Sequence, residues 1–367
     1  MPYIERIEIR EHYRAPDLVI DLARAGERPR HLILTGPNGA GKTTILTALA
    51  EVISRNVMFG TSALFGAPFY LDVQWDAPTA LGGEWRASKQ VAAFLSDDRM
   101  GGMTPVEQFR RLDLARRSPQ DRVSPDFHQY LVNQHIQRAV RREKAPDDAA
   151  RITRELTRLE EDLAYLFERP GLRFELDDQH WQVDLVEPGQ PPISWAMLAA
   201  GHRSVLQMLA ELVLRIDATG RERDDPELSG VVVIDEVELH LHPSLQEKVL
   251  PFLTSRFPRL QFIAATHSPA VISSIDGALV VDLRDGRQVP SEDLRGVRYG
   301  DLMTAHFGIA TDYDLDSTRK MARLHALWHQ GSRTADEESE MRSLVRELSD
   351  RSHALALDIE MRLGEPG

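Results

Sequence analysis

The chain contains no cysteine, which excludes both a disulfide framework and a thiolate metal site. That absence suits a reducing compartment, and a cytoplasmic location is expected. Long apolar runs are missing too. Runs such as residues 231–234 and 262–265 are strand-sized, far short of the roughly 18 residues a membrane span needs. No membrane partner is expected. Residues 1–10 alternate charged and apolar side chains and lack the apolar core of a secretion signal. Basic residues are in deficit, with a net charge of −13. This argues against a surface that is basic throughout, though not against a local basic patch. The 367 residues suffice for one large or two ordinary domains with ample core.

What is present is a phosphate-cradling pattern. Gly36-Pro37-Asn38-Gly39-Ala40-Gly41-Lys42-Thr43 satisfies G-x-x-x-x-G-K-[ST], and Thr44 follows. An apolar run of strand length precedes it at 31–35, and residues 44–53 read as a helix. That strand–loop–helix context is what the motif requires. The glycines let the backbone wrap closely enough for its N–H groups to face phosphate oxygens. The helix start adds the positive end of its dipole. Lys42 is expected to reach the β- and γ-phosphates, and Thr43 to offer its hydroxyl to Mg²⁺.

Two later apolar runs end in chemistry of the same kind. Val231-Val232-Val233-Ile234 leads into Asp235-Glu236, and such a run suits a parallel strand buried on both faces. Asp235 at its carboxyl end can hold Mg²⁺ through water, while Glu236 is placed to orient or deprotonate the attacking water. Residues 260–265 read as another buried strand, ending in Thr266-His267-Ser268-Pro269. A histidine at that edge can donate to a γ-phosphate. His240 and His242 stand in H-x-H spacing, but no third ligand accompanies them at a sensible distance.

Around these motifs the chain divides into four. Residues 1–98 hold the P-loop lobe, headed by expected strands at 3–10 and 18–22 that form an antiparallel flank. The link between those strands can lie against a base, with Tyr13 and Arg14 the candidates, or it can be plain solvated loop. Residues 56–83 read as irregular strands and loops, and 90–95 as a strand. Ser96-Asp97-Asp98-Arg99, which follows, either lines a ligand crevice or forms a turn. Residues 99–194 form a mainly helical insertion, with helices at 127–142 and 149–167 and a hairpin at 174–185. Its stretch 99–158 carries 13 Lys/Arg against 8 Asp/Glu, so it is either a DNA- or partner-binding surface or a solvated helical pair. Residues 195–299 form the second lobe, with an amphipathic helix at 204–216. Residues 300–367 form a helical tail, 318–329 then 335–362. Asp312-Tyr313-Asp314 superficially resembles a metal pair, but no apolar strand precedes it, and it reads as a turn.

Taken together, GPNGAGKTT, VVVIDEVELHLHPSLQ and FIAATHSP resemble the ABC-class ATPases of the RecF/SMC/OLD-like group. Most similar are the stand-alone AAA-type ATP-binding proteins encoded in bacterial anti-phage systems beside a nuclease or other effector. The likeness covers residues 1–60 and 195–300 well, the tail loosely and the insertion not at all. It implies a P-loop NTPase fold, α/β with a mixed sheet, and ATP and Mg²⁺ as ligands. It also implies an ATP-dependent homodimer or higher oligomer acting on a partner effector, or alternatively DNA repair of RecF type. In such proteins two heads sandwich two nucleotides, each site completed by an L-S-x-G signature from the other subunit. The matching stretch here is Leu198-Ala199-Ala200-Gly201, which keeps the glycine but replaces the serine with Ala199. Losing one hydrogen bond to a charged acceptor costs on the order of 1.5–3 kcal/mol, so a weaker dimer or slower hydrolysis is expected. By the same likeness His267 is the switch histidine, and residues 238–243 cross the dimer interface.

Overall fold

The computed structural model describes residues 3–23, 28–59, 69–76, 90–99, 101–114, 117–297, 299–302, 314–330, 332–351, 355–356 and 359. The chain forms two compact units, Met1–Tyr299 and Gly300–Gly367.

The first unit is built on a six-stranded sheet whose order explains the site. Its strands are β3 (His31–Thr35), β5 (Val91–Leu95), β8 (Gly230–Ile234), β9 (Leu260–Ala265), β10 (Ala278–Asp282) and β11 (Gln288–Pro290). They lie in the order β11-β10-β3-β9-β8-β5. All neighbours are parallel except β11, which runs antiparallel to β10. Every residue of β3, β8, β9 and β10 is buried, as a strand covered on both faces demands. Because the strands are parallel, their carboxyl ends share one edge. The P-loop, Asp235 and Thr266-His267 therefore meet on neighbouring strands spaced about 4.8 Å apart.

The antiparallel flank forms a separate sheet. β1 (Ile4–Arg10) pairs with β2 (Leu18–Asp21) on one side and with β4 (Tyr70–Trp75) on the other. β4 lies in the stretch read from sequence as irregular; residues 60–68 and 77–83 of that stretch lie outside the described residues. One apolar core unites the two sheets with α1 (Lys42–Phe59), combining Ile7 and Val73 with Ile45, Leu49, Leu34 and Val233. α1 starts two residues earlier than expected, at Lys42 itself, so the lysine and Thr43 already sit in the first helical turn.

The insertion is tied into this unit. α2 (Phe127–Lys144) and α3 (Pro146–Phe167) meet at Ala145, and Pro146 opens α3 at a position where its missing N–H is harmless. The hairpin β6 (Arg173–Asp177)–β7 (Gln182–Val186) follows. Asp162 of α3 is buried and accepts from Arg223 at 2.5 Å and from Arg256 at 2.7 Å. α4 (Ala200–Thr219) begins four residues ahead of the amphipathic pattern, and its Glu211 accepts the amides of Val123 and Ser124 at 3.0 and 2.8 Å. α5 (Pro243–Arg256) and α6 (Pro269–Ser274) complete the unit.

The second unit contains α7 (Leu315–Trp328) and α8 (Ala335–Arg351), joined through a small core of Leu324, Leu348, Leu355 and Ile359. Asp314 caps α7, accepting the amides of Asp316 and Ser317, each at 3.0 Å; Asp312 and Tyr313 lie outside the described residues. No helix among the described residues is long and apolar enough to cross a membrane.

Candidate nucleotide site

The loop between β3 and α1 is shaped by glycines in conformations closed to other residues. Gly36 has φ +132° and Gly41 φ +101°. A Cβ on Gly41 would lie 2.3 Å from the His12 ring, so an aromatic floor supports the loop from below. His12 is buried, and its Nδ1 accepts the amides of Ala15 (2.9 Å) and Arg14 (3.2 Å). Burial lowers its pKa, and a neutral ring accepting at Nδ1 carries its proton on Nε2. That Nε2 is buried and finds no partner among the described residues. Within the loop, Ala40 N donates to Pro37 O at 3.1 Å, while Asn38 and Gly39 are exposed and Thr44 is half-buried.

Lys42 is buried, and its ammonium donates to Gly36 O (2.9 Å) and Pro37 O (3.1 Å). Burial lowers its pKa against the pull of Glu238, Asp235, Glu236 and Asp282. A cation held by the loop's own carbonyls, in a ring of acids, is placed to exchange those carbonyls for phosphate oxygens.

Asp235 is buried at the end of β8. Its pKa is raised by burial, opposed by a hydrogen bond from the Thr43 hydroxyl. Its Oδ1 finds no hydrogen-bond partner among the described residues. A buried, unpaired carboxylate oxygen beside a threonine hydroxyl fits Mg²⁺, which takes one or two protein oxygens and fills its remaining positions with water and substrate phosphates. Among the described residues no cluster of three or more His, Asp or Glu forms a protein-only metal cage. His242 instead caps α5, accepting from Ser244 N at 3.4 Å.

Glu236 has φ +46°, a costly conformation for a residue with a side chain. Its pKa is raised by burial and then by Asp235, Glu238 and Asp97, with Arg99 opposing. A carboxylate raised in this way is a better base at neutral pH. His267 is held through its backbone, its amide donating to Glu238 Oε1, while Thr266 Oγ1 donates to Glu238 Oε2 at 2.7 Å. Burial, then the nearby Lys42, lowers the His267 pKa, which favours a neutral imidazole at pH 7. Ser268 accepts Val271 N at 3.3 Å and so caps α6.

Gly201, in the first turn of α4, faces the loop after Glu236 rather than the P-loop. A Cβ there would lie 2.9 Å from His240 O. Ala199 occupies the cap position of α4 and offers no side-chain acceptor. Sequence reasoning missed the contributions of His12, Arg99 and Asp282, and assigned Glu238 only to the interface loop. Arg99 does lie in the polar run noted after β5. In the insertion, Arg110, Arg141 and Arg158 pair with Asp126, Asp148 and Asp224 at 2.6, 2.9 and 2.9 Å.

A family model described as "AAA domain, putative AbiEii toxin, Type IV TA system" matches residues 86–273, just over half of the chain. The P-loop lies ahead of the matched span. The chain is similar to the Septu protein PtuA of Bacillus thuringiensis, with 24% identity over 345 residues covering 84% of each protein. It is also 34% identical over 140 residues to the Retron Ec83 probable ATPase of Escherichia coli, a match covering 38% of this chain and 25% of that protein. Among solved structures, an SMC head bound to the C-terminal winged-helix domain of ScpA aligns with TM-score 0.44 and 14% identity, covering 80% of this chain and 99% of that one. The chain belongs to this AAA family of ATPases.

Proposed function

We propose that the chain is an ATP-hydrolysing switch whose nucleotide-driven pairing controls a partner effector, such as a nuclease, in anti-phage defence. One observation carries the reading: Lys42, the Thr43–Asp235 pair, Glu236 and the Glu238-held His267 converge on one edge of a parallel sheet. The likenesses to a probable ATPase and to a Septu protein support it.

In this reading the P-loop amides and Lys42 bind the β- and γ-phosphates of ATP. Thr43 and Asp235 would hold Mg²⁺, which would neutralise charge on those phosphates. Glu236 takes a proton from water as the water oxygen attacks the γ-phosphorus. The bond to the bridging oxygen breaks, and ADP and phosphate depart. Neutral His267 donates a hydrogen bond to the γ-phosphate, where charge accumulates. Gly201 and the start of α4 reach the γ-phosphate of a second copy, so that ATP draws two heads together and hydrolysis frees them.

Sedimentation of Glu236→Gln and Lys42→Ala with Mg·ATP tests the pairing. The first should sediment as a dimer or larger, the second as a monomer. If Glu236→Gln stays as monomeric as Lys42→Ala, the sandwich is wrong.

A further inference from the structure

We propose that Arg99 is a positioning residue that locks the catalytic acids to the signature-like start of α4, so that the two faces of the head respond to nucleotide as one body. The inference rests on the reading above, because it names how that site reaches the surface offered to a second copy.

Arg99 is only 3% exposed, and its guanidinium is divided among three segments. Nη1 donates to Ser96 O at 2.9 Å and to Asp235 O at 2.6 Å. Nη2 donates to Glu236 O, and Nε to Ser204 Oγ at 3.3 Å. Ser204 lies in the second turn of α4, and its hydroxyl donates a hydrogen bond to Leu239 O at 3.2 Å. One fork thus joins the end of β5, the acidic turn after β8, α4 and the loop that packs on Gly201.

The choice of acceptors decides the role. These bonds end on backbone carbonyls and one hydroxyl, not on carboxylate oxygens. The acids of the site feel the guanidinium through space: Asp235, Glu238, Asp97 and Glu236 all favour its charged form. Arg99 therefore offsets the acidic cluster without occupying the oxygens needed for Mg²⁺ and water. Asp235 Oδ1 has no hydrogen-bond partner among the described residues. The fork also grips the carbonyl of Glu236, the residue held at φ +46°. A lysine supplies charge but not a planar fork, so it cannot hold these carbonyls together.

The test compares full-length wild type, Arg99→Lys, Arg99→Ala and Ser204→Ala by three measurements. These are binding of a fluorescent ATP analogue, steady-state phosphate release, and amide hydrogen exchange without nucleotide. A misplaced catalytic group costs on the order of 10²-fold in rate. Arg99→Lys should therefore lower kcat by about 10–100-fold while the analogue binds nearly as in wild type. In both Arg99 variants, residues 200–208 and 235–241 should exchange faster together. Ser204→Ala should loosen residues 200–208 and leave 235–236 as in wild type. Two results overturn the proposal: an Arg99→Lys enzyme with wild-type kcat, or an Arg99→Ala chain whose residues 200–208 exchange as in wild type. Loss of analogue binding in step with turnover would also overturn it, by reducing Arg99 to a purely structural group. A wild type that releases no phosphate refutes the ATPase reading instead, and the exchange data still judge Arg99.

Discussion

Replacing Gly41 by alanine probes the floor of the P-loop. Two costs are separable. The φ of +101° carries an expected strain of about 1–3 kcal/mol for a residue with a Cβ. The new methyl would also lie 2.3 Å from His12 Cε1 and 2.9 Å from its Nε2, an overpacking worth another 1–3 kcal/mol or so. His12 cannot swing aside cheaply. Two amides hold its Nδ1, and it stacks on Tyr13 and meets the Phe69 edge, each at a centroid distance of 4.7 Å. Gly41→Ala should thus cost roughly 2–6 kcal/mol and abolish nucleotide binding. Adding His12→Ala removes the clash but not the backbone strain. A double-mutant cycle by urea unfolding should therefore return a favourable coupling of about 1–3 kcal/mol. A coupling within about 0.5 kcal/mol of zero refutes the view that His12 supports the loop.

Other predictions follow from single contacts. His31 accepts Phe262 N at 3.1 Å, and burial, reinforced by Arg28, pushes its pKa down to about 4. The unfolded chain takes up that proton near pH 6.5, so this contribution is complete above about 6.5 and falls away as the pH drops toward 4. It amounts to about 3 kcal/mol, and His31→Gln should flatten the wild-type loss of stability over that window in urea titrations. Ala199→Ser should stabilise α4 by about 0.5–2 kcal/mol through the missing cap; it should also tighten ATP-driven pairing, read by sedimentation at graded ATP. Asp162→Ala leaves the buried Arg223 with Glu155 as its remaining carboxylate partner, at 2.8 Å, and should cost about 1.5–3 kcal/mol in denaturant unfolding.

The grouping at the candidate site was largely legible because its parts are local. A glycine-wrapped lysine and acids or histidine at the ends of apolar strands announce themselves within ten residues each, and a parallel sheet then delivers them to one edge. Pairings between distant segments were not legible. Nothing near Gly41 announces that His12 lies beneath it, nor that β4 completes a sheet with β1. Arg99 stood in a polar run that reads equally well as a turn, and its role depends on carbonyls more than 130 residues away. The insertion's charge count did not show its pairings, some of them internal, such as Arg110 with Asp126 and Arg141 with Asp148. Arg158 meets Asp224 and Asp162 meets Arg223 across long stretches of chain.

Steady-state phosphate release by the purified chain with Mg·ATP bears most directly on the account. Wild type should turn over, and Lys42→Ala should neither bind ATP nor release phosphate. Glu236→Gln should bind ATP yet release phosphate about 10²–10⁴-fold more slowly, the usual worth of a positioned base. A Glu236→Gln chain that hydrolyses ATP at the wild-type rate would contradict the assignment of the site.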